Sequence, residues 1–146
     1  MSLRDTYAPG SFGLSFELFP PKTPESEAML WQTVSELVGF EPALITCTYG
    51  AGGSTQQKTL DVLDGVRSRH PGIAVASHLT CVGRTVTELR EYLRTAQQRG
   101  VSAIVALRGD PPQGETSFTP VADGLQYASE LVALIRNEFP AFAILV

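Results

Sequence analysis

Short apolar runs and longer segments with an apolar residue every third or fourth position follow each other along this chain. The first pattern is typical of buried strands and the second of helices that bury one face. Because one such pair recurs about every thirty residues, the pattern predicts parallel strands joined by helical crossovers. The predicted strands are Gly13 to Phe19, Ala43 to Tyr49, Ala74 to Thr80, a fourth that begins at Ala103, and Phe142 to Val146.

Capping signals mark where the predicted helices begin and end. Thr23-Pro24-Glu25 combines a capping threonine, a proline at the first helical position and an acid in the first turn. Thr85-Val86-Thr87-Glu88 reads as a capping box, and Gly100 is placed to follow the same helix. Ser54 is a further cap after a glycine-rich turn, and Pro140 closes the last helix. The apolar face of that last helix consists of Leu131, Leu134 and Ile135.

Two architectures fit this alternation, a (β/α)8 TIM barrel and an open doubly wound α/β sheet. A barrel usually takes about 250 residues, whereas this chain has 146. The barrel interpretation therefore assigns to the chain the first four βα units and strand five. Residues 1–146 are then the N-terminal part of a single TIM-barrel domain, in a fragment that lacks the C-terminal half. An open five-stranded sheet would be complete as it stands, and it is kept as the alternative.

Alternation of side chains sorts each predicted strand into two faces. One phase turns apolar residues towards the helices. The opposite face then collects polar and ionisable groups near the carboxyl ends of four strands, where both architectures place their sites. The helix-facing residues are Phe16, Leu18, Ile45, Cys47, Val75, Leu79, Val105 and Leu107. The residues of the opposite face are Glu17, Thr46, Thr48, Ala76, His78, Thr80, Ala106, Arg108 and Asp110.

These polar residues also have purely structural interpretations. Glu17 could be a core acid neutralised by Arg108, and Arg108 could instead pair with Asp110 across the turn. His78 could be a core histidine with satisfied hydrogen bonds, and the threonines could serve only as β-branched strand formers. The Gly50 to Ser54 run matches neither GxGxxG nor the P-loop, and it could be a flexible connection.

Composition narrows the classes of partner. The net charge is −4, the pI is about 5.1, and no cluster of Lys and Arg is present, which argues against nucleic acid or a membrane as partner. No apolar run approaches the roughly 18 residues of a membrane span, and the first residues lack a signal-peptide core, so a cytoplasmic location is expected. Cys47 and Cys81 are expected to be reduced, and no metal-ligand spacing is seen.

Four motifs occur in this order: Phe16 to Thr23 (FELFPPKT), Thr48 to Ser54 (TYGAGGS), His78 to Cys81 (HLTC) and Ala106 to Pro112 (ALRGDPP). As a set they resemble methylenetetrahydrofolate reductases, over essentially the whole chain but only about the first half of the family's catalytic barrel. The resemblance implies an enzyme of one-carbon metabolism and methionine biosynthesis. It would reduce 5,10-methylenetetrahydrofolate to 5-methyltetrahydrofolate, with FAD as cofactor and NAD(P)H as electron donor, and we expect a homo-oligomer.

The resemblance also implies roles for individual residues. Glu17 would be the general acid that protonates the folate, so that its bridging ring opens to an iminium. The apolar neighbours of Glu17 would disfavour its charged form and keep its proton in place. Asp110 would be the acid beside the flavin and the pterin, where its charge would tune the flavin. The cofactor-binding residues implied are Thr48, Tyr49, His78, Arg108, Gly109, Asp110, Tyr127 and Ala128, the last two at a helix start that can receive anionic groups.

Two competing functions stay open from the sequence. One is a non-catalytic or incomplete flavin- or folate-binding half barrel that needs a partner or the missing C-terminal half. The other is an unrelated barrel lyase or aldolase that uses Glu17 and His78 as acid and base. The lyase interpretation needs a substrate-activating lysine or a metal, and Lys22 and Lys58 are poorly placed for that role.

Overall fold

The computed structural model describes residues 3–49, 56–111 and 114–146. These residues form a five-stranded parallel sheet with helices. The predicted turn and cap at Gly50 to Ser54 lie outside these residues, as do Pro112 and Gln113. The elements are α1 (Leu3–Thr6), β1 (Ser15–Leu18), α2 (Pro24–Leu37), a 3-10 turn (Val38–Phe40), β2 (Leu44–Cys47), α3 (Gln56–Arg69), β3 (Ala74–Thr80), α4 (Val86–Gln98), β4 (Ala103–Leu107), α5 (Ala128–Glu138) and β5 (Ala143–Leu145).

The capping signals predicted at Thr23 and Thr85 are confirmed. The Thr23 hydroxyl accepts a hydrogen bond from the Ser26 amide at 3.2 Å, and Pro24 is the first residue of α2. At the start of α4, Thr85 Oγ1 accepts from the Glu88 amide at 3.2 Å, and the Glu88 carboxylate accepts from the Thr85 amide at 2.8 Å. Each exchange satisfies amides that have no partner within the helix. The local sequence therefore determines where both helices begin.

The strands follow one another in the sheet in the order β1-β2-β3-β4-β5, and every neighbouring pair is parallel. Apolar residues of α2 to α5 pack against one face of this sheet in a single core. A doubly wound sheet reverses its strand order and carries helices on both faces. Neither feature is found among the described elements, so the doubly wound alternative is wrong.

We call the other face of the sheet the open face. Leu44, Ala76 and Ala103 are buried there, and Leu3 of α1 packs against them. The segment before β1 thus contains a short helix that lies against the sheet. None of the helices in the described ranges is long and apolar enough to cross a membrane.

The predicted phase of β4 is wrong. Ile104 and Ala106 belong to the helix-side core, whereas Val105 packs with the residues of the open face. The register confirms this arrangement, because it pairs Val105 with His78 of β3 and Leu107 with Thr80. Every residue from Ala103 to Leu107 is apolar, and such a run carries no alternation from which a phase can be read. The tertiary register therefore decides which side chains of β4 reach the open face.

Helices α2 and α3 approach each other closely at Gly65. A Cβ atom at this position would lie 2.8 Å from Cζ2 of Trp31, inside van der Waals contact. The Arg69 guanidinium covers the same ring at 4.0 Å from its centroid, which limits how far the indole can move. Gly65 is therefore required by packing, although glycine is a poor helix former.

We expect Gly65→Ala to lower the free energy of unfolding by about 1 kcal/mol, because overpacking by 1–3 kcal/mol outweighs the gain of about 1 kcal/mol in helix propensity. Urea denaturation measures the difference. Gly72→Ala is the matched control, because a Cβ at Gly72 meets no atom within 4 Å. A Gly65→Ala protein as stable as the control would show that the Trp31 contact does not constrain the helix pair.

Both cysteines are free, as predicted, and both are buried in the helix-side core. Burial raises the pKa of Cys47 to about 12 and that of Cys81 to about 11, in each case as the largest cause. Since the thiolate is the reactive species, we expect neither residue to be alkylated by iodoacetamide in the native protein at about pH 8. Both should react in urea, which serves as the internal control. Mass spectrometry detects the labelled cysteines. Rapid labelling of either one under native conditions would contradict this burial.

Candidate functional site

A close contact between the Glu17 carboxylate and the His78 imidazole lies on the open face of the sheet. Glu17 Oε2 and His78 Nε2 are 2.9 Å apart. Glu17 is on β1 and His78 on β3, and β2 lies between them in the sheet. Because neighbouring strands lie about 4.8 Å apart, these side chains meet across a gap of roughly 10 Å between their strands. They therefore reach over β2 to form the contact.

The two partners differ in exposure. The side chain of His78 is 14% exposed, whereas that of Glu17 is 48% exposed. Burial lowers the pKa of His78, and the charge and hydrogen bond of Glu17 act in the opposite direction. Burial is the largest cause, so the neutral imidazole is favoured near neutral pH. A neutral imidazole with its proton on Nε2 donates to the carboxylate, which holds the Glu17 head group in place.

Two expectations for Glu17 are corrected by this geometry. The interpretation of Glu17 as a core acid neutralised by Arg108 is wrong, since Glu17 is half exposed and its carboxylate contacts the imidazole of His78. The apolar enclosure expected from its sequence neighbours is also wrong. Leu18 is buried on the helix side of the sheet, and Phe19 is exposed. Neighbours in a strand point to opposite faces, so residues adjacent in sequence do not surround the carboxyl.

Two threonines belong to the β2 segment, which lies between the strands of Glu17 and His78. Thr46 is in register with Glu17 on one side and with Ala76 on the other. It is 8% exposed, and within the described ranges its hydroxyl has no hydrogen-bond partner. Thr48 follows the end of β2, where its amide donates to the Leu18 carbonyl and its carbonyl accepts from Thr59 Oγ1 at 2.8 Å. Sequence alternation places Thr46 on this face but does not reveal its unpaired hydroxyl.

The end of β4 brings Arg108, Gly109 and Asp110 to the carboxyl edge of the sheet. The Arg108 guanidinium lies 5.1 Å from the ring centroid of Phe118, in the long segment after β4. Asp110 is exposed, and no ion pair between it and Arg108 occurs among the residues described. Pairing across the turn is therefore not the role of these two charges. Sequence reasoning missed Phe118, whose only signal is an aromatic residue within a polar segment.

Gly109 is held closely against the end of β3. Its φ is +87°, in the left-handed region, and a Cβ there would lie 2.7 Å from Cγ1 of Val82. Cys81 and Val82 donate their amides to the Arg108 carbonyl at 3.1 and 3.0 Å. Only glycine fits this combination of backbone angle and contact without strain. Gly109 thus fixes the direction in which the chain leaves β4.

The ring of Tyr49 packs on the helix side of the sheet. Its centroid lies 5.5 Å from that of Tyr92 in an edge-to-face arrangement, and its hydroxyl contacts the side-chain amide of Gln56. Burial is the largest cause that raises the pKa of Tyr49. The ring therefore belongs to the helix-side core, and only the backbone of Tyr49 stands at the strand end.

The start of α5 is already occupied by a carboxylate of its own helix. Glu130 Oε2 accepts hydrogen bonds from the amides of Gln126 at 2.7 Å and Tyr127 at 2.8 Å. An anionic group at Tyr127 and Ala128 would have to displace Glu130 from these amides. The side chain of Tyr127 is exposed, and its carbonyl accepts a weak hydrogen bond from the Cys81 thiol.

The described residues contain no group of three or more His, Cys, Asp or Glu side chains placed to hold a metal ion. Lys22 and Lys58 are exposed and line a cavity next to Trp31 between α2 and α3. A lysine that activates a substrate requires a desolvated pocket or a neighbouring cation. Neither lysine has that enclosure, so the geometry gives the lyase interpretation no support.

Comparison with known proteins places the chain among folate enzymes. The family model described as methylenetetrahydrofolate reductase matches residues 2–146. The 5,10-methylenetetrahydrofolate reductase of Escherichia coli K12 is 39% identical over 128 residues, which cover 88% of this chain and 41% of that protein. A probable methylenetetrahydrofolate reductase (NADH) of Oryza sativa subsp. japonica is 35% identical over 137 residues, which cover 94% of this chain and 23% of that protein.

The 5,10-methylenetetrahydrofolate reductase of Buchnera aphidicola (strain Sg) is 36% identical over 123 residues, which cover 84% of this chain and 40% of the relative. The chain thus spans about two fifths of the length of these bacterial relatives. Since the family model matches nearly the whole chain, the chain belongs to the methylenetetrahydrofolate reductase family.

Proposed function

We propose that the protein to which this chain belongs reduces 5,10-methylenetetrahydrofolate to 5-methyltetrahydrofolate, with FAD as cofactor and NADH or NADPH as electron donor. The observation that carries the proposal is the Glu17–His78 pair, which presents a half-exposed carboxyl group on the open face of a chain of this family. Substrate and reaction come from the printed names of relatives, of which the chain covers only a part. The choice between NADH and NADPH stays open.

We further propose that residues 1–146 form the first part of a (β/α)8 TIM barrel. The strand order without reversal and the packing of α2 to α5 on one face support this architecture. In a closed barrel the open face becomes the interior, where the partly buried Val105 and Leu145 would be covered by further strands. The site would then lie at the carboxyl ends of the strands, as in other barrels of this kind. A homo-oligomer stays a prediction.

The residues of the open face fit a flat aromatic cofactor. Val105 and Leu107 are half-buried beside His78 and Thr80, which gives an apolar wall with polar groups next to it. Ligand sites commonly combine such a wall with a few polar groups that orient the ligand. When bound, the flavin would accept hydride from the nicotinamide nucleotide and pass it to the folate. The residues proposed to hold it are Thr48, Tyr49 through its backbone, His78, Arg108, Gly109, Asp110 and, once Glu130 is displaced from the amides of the α5 start, Tyr127 and Ala128.

Glu17 is proposed as the general acid and Asp110 as the acid beside the ring systems. The carboxyl of Glu17 faces the space where a folate would lie, so its proton can reach a nitrogen of the substrate. After the proton has left, the carboxylate accepts the hydrogen bond of His78, which stabilises the charge. Asp110, exposed at the end of β4, provides a second carboxylate at the same edge.

A binding module without catalysis is the second candidate function. The open face favours it, since Ala74, Val105 and Leu145 are only partly buried there and offer an apolar surface that a partner could complete. The two candidates differ in their chemistry: the enzyme turns over folate, whereas the binding module takes up flavin or folate without turnover. Assays of the two half-reactions in the full-length protein separate them.

We expect Glu17→Gln to slow folate reduction by about 10²- to 10⁴-fold, because an amide can keep the contact with His78 but cannot donate the proton. Reduction of the flavin by the nicotinamide nucleotide should stay within about twofold of wild type. Stopped-flow absorbance of the flavin follows both half-reactions. Glu36→Gln on the exposed surface of α2 is the control. Equal loss in both half-reactions would assign Glu17 a structural role instead.

We expect Gly109→Ala to weaken FAD binding by about tenfold or more, because strain of roughly 1–3 kcal/mol at this turn would displace Arg108 and Asp110. Titration of the apoprotein with FAD, followed by visible absorbance and flavin fluorescence, measures the Kd. Gly114→Ala is the matched control, since Gly114 has a φ of +95° but no atom within 4 Å of an added Cβ. Wild-type protein that takes up no FAD would contradict the cofactor assignment itself.

A further inference from the structure

Phe118 is a partly buried aromatic residue in the segment between β4 and α5, and the proposed function gives it no role. Its ring packs against the helix-side core, whereas residues 114–117 and Thr119 around it are exposed. Packing alone requires apolar volume, which leucine would supply equally well. The ring has a second contact, because Cζ of Arg108 lies over it at 5.1 Å from its centroid. A guanidinium at this distance is attracted to the face of an aromatic ring.

The segment that carries Phe118 is also attached to the start of α4. Gly124 forms an antiparallel bridge with Thr85. The Val86 amide donates a hydrogen bond to the Asp123 carbonyl at 2.9 Å. Core packing of the ring and this bridge fix the segment at two points. The ring of Phe118 therefore has a defined position relative to the carboxyl ends of β3 and β4.

The phase of β4 directs Arg108 towards the helix side of the sheet. Ile104 and Ala106 belong to the helix-side core, and alternation extends this phase to Arg108, two residues further along the chain. The packing of Phe118 against the same core agrees with this direction. The guanidinium therefore lies at the rim of the carboxyl edge rather than over the open face.

Most of the hydrogen-bonding capacity of the Arg108 guanidinium is available to a ligand. Among the described residues, its N–H groups have one acceptor, the Gly109 carbonyl, at 3.4 Å from Nε. No carboxylate within the described ranges forms an ion pair with it. A guanidinium presents its N–H donors in a planar fork that matches the oxygens of a phosphate group. FAD carries such groups.

We propose that Phe118 is a positioning residue for Arg108, whose guanidinium it holds at the carboxyl edge in the orientation that receives a phosphate group of the flavin. An arginine side chain loses rotamer freedom when it binds an anion, and prior ordering against a ring reduces that loss. This role depends on the proposed binding of FAD by Arg108. The contact between ring and guanidinium is a property of the protein with or without flavin, so the two claims can fail separately.

NMR spectroscopy of the arginine Nε–Hε groups tests the contact in full-length apoprotein. The Arg108 signal is the one that disappears in Arg108→Lys. Protons over the face of an aromatic ring resonate upfield, so we expect this signal to move downfield in Phe118→Leu and to stay near its wild-type position in Phe118→Tyr. Phe118→Met provides the same test if the leucine variant does not fold.

Phe12→Leu is the matched control for the NMR experiment, because Phe12 is 88% exposed. This substitution should leave the Arg108 signal in place. An Arg108 signal at the same position in wild type and Phe118→Leu would overturn the proposal.

A double-mutant cycle on FAD binding tests the positioning role. Ordering of a flexible side chain accounts for about 2- to 10-fold in Kd, so Phe118→Leu should weaken FAD binding by that factor. In an Arg108→Gln background the same substitution should leave the Kd unchanged, because the ring then has no cation to orient. Phe118→Tyr, which keeps the ring, should restore the wild-type Kd.

Two outcomes of the binding experiment are distinguishable. Equal weakening by Phe118→Leu in both backgrounds would overturn the positioning role, since a purely structural effect does not require the guanidinium. Wild-type protein that binds no FAD would refute the proposed function, while the NMR signal would still decide whether Phe118 orients Arg108.

Discussion

The register of three neighbouring parallel strands is the constraint on which the candidate site depends. Glu17 is in register with Thr46, and Thr46 is in register with Ala76. His78 is two residues beyond Ala76 on β3 and therefore points to the same face. Glu17 and His78 can meet at 2.9 Å only because both point to the same face across β2. A slip of one residue in any of the three strands would turn one partner towards the helices. The hydrogen bonding between the strand backbones thus sets the relative positions of Glu17 and His78.

The two faces of the sheet are covered unequally by helices, and this leaves the Glu17–His78 contact accessible. Helices α2 to α5 bury one face in a continuous apolar core, which includes both cysteines and the rings of Tyr49 and Tyr92. Among the described elements, the other face receives only α1, and it presents a mixture of small apolar and polar side chains. The helix side of the sheet therefore supplies most of the buried core, and the opposite side can expose the Glu17–His78 contact at little cost to that core.

Prediction from sequence succeeded where the determinants are local. The caps at Thr23 and Thr85 exchange hydrogen bonds with residues three positions away, and such signals can be read directly from the chain. Prediction failed for β4, because an entirely apolar run does not reveal which side chains face the helices. It also failed for the surroundings of Glu17, because residues next to it in sequence do not lie next to its carboxyl group in space. The occupation of the α5 start by Glu130 was missed for a different reason, because the same residues suit both a cap and an anion site.

The sequence by itself determined the order of strands and helices, the helix starts and the four motifs that resemble the family to which the chain belongs. These features depend on residues close together in the chain or on their identity alone. Only the tertiary structure decided that Glu17 pairs with His78 rather than Arg108, that the Thr46 hydroxyl is buried without a partner among the described residues, and that Tyr49 turns to the helix side. The physical reason is that inter-strand register and the packing of the core join residues distant in sequence, and no local pattern encodes either.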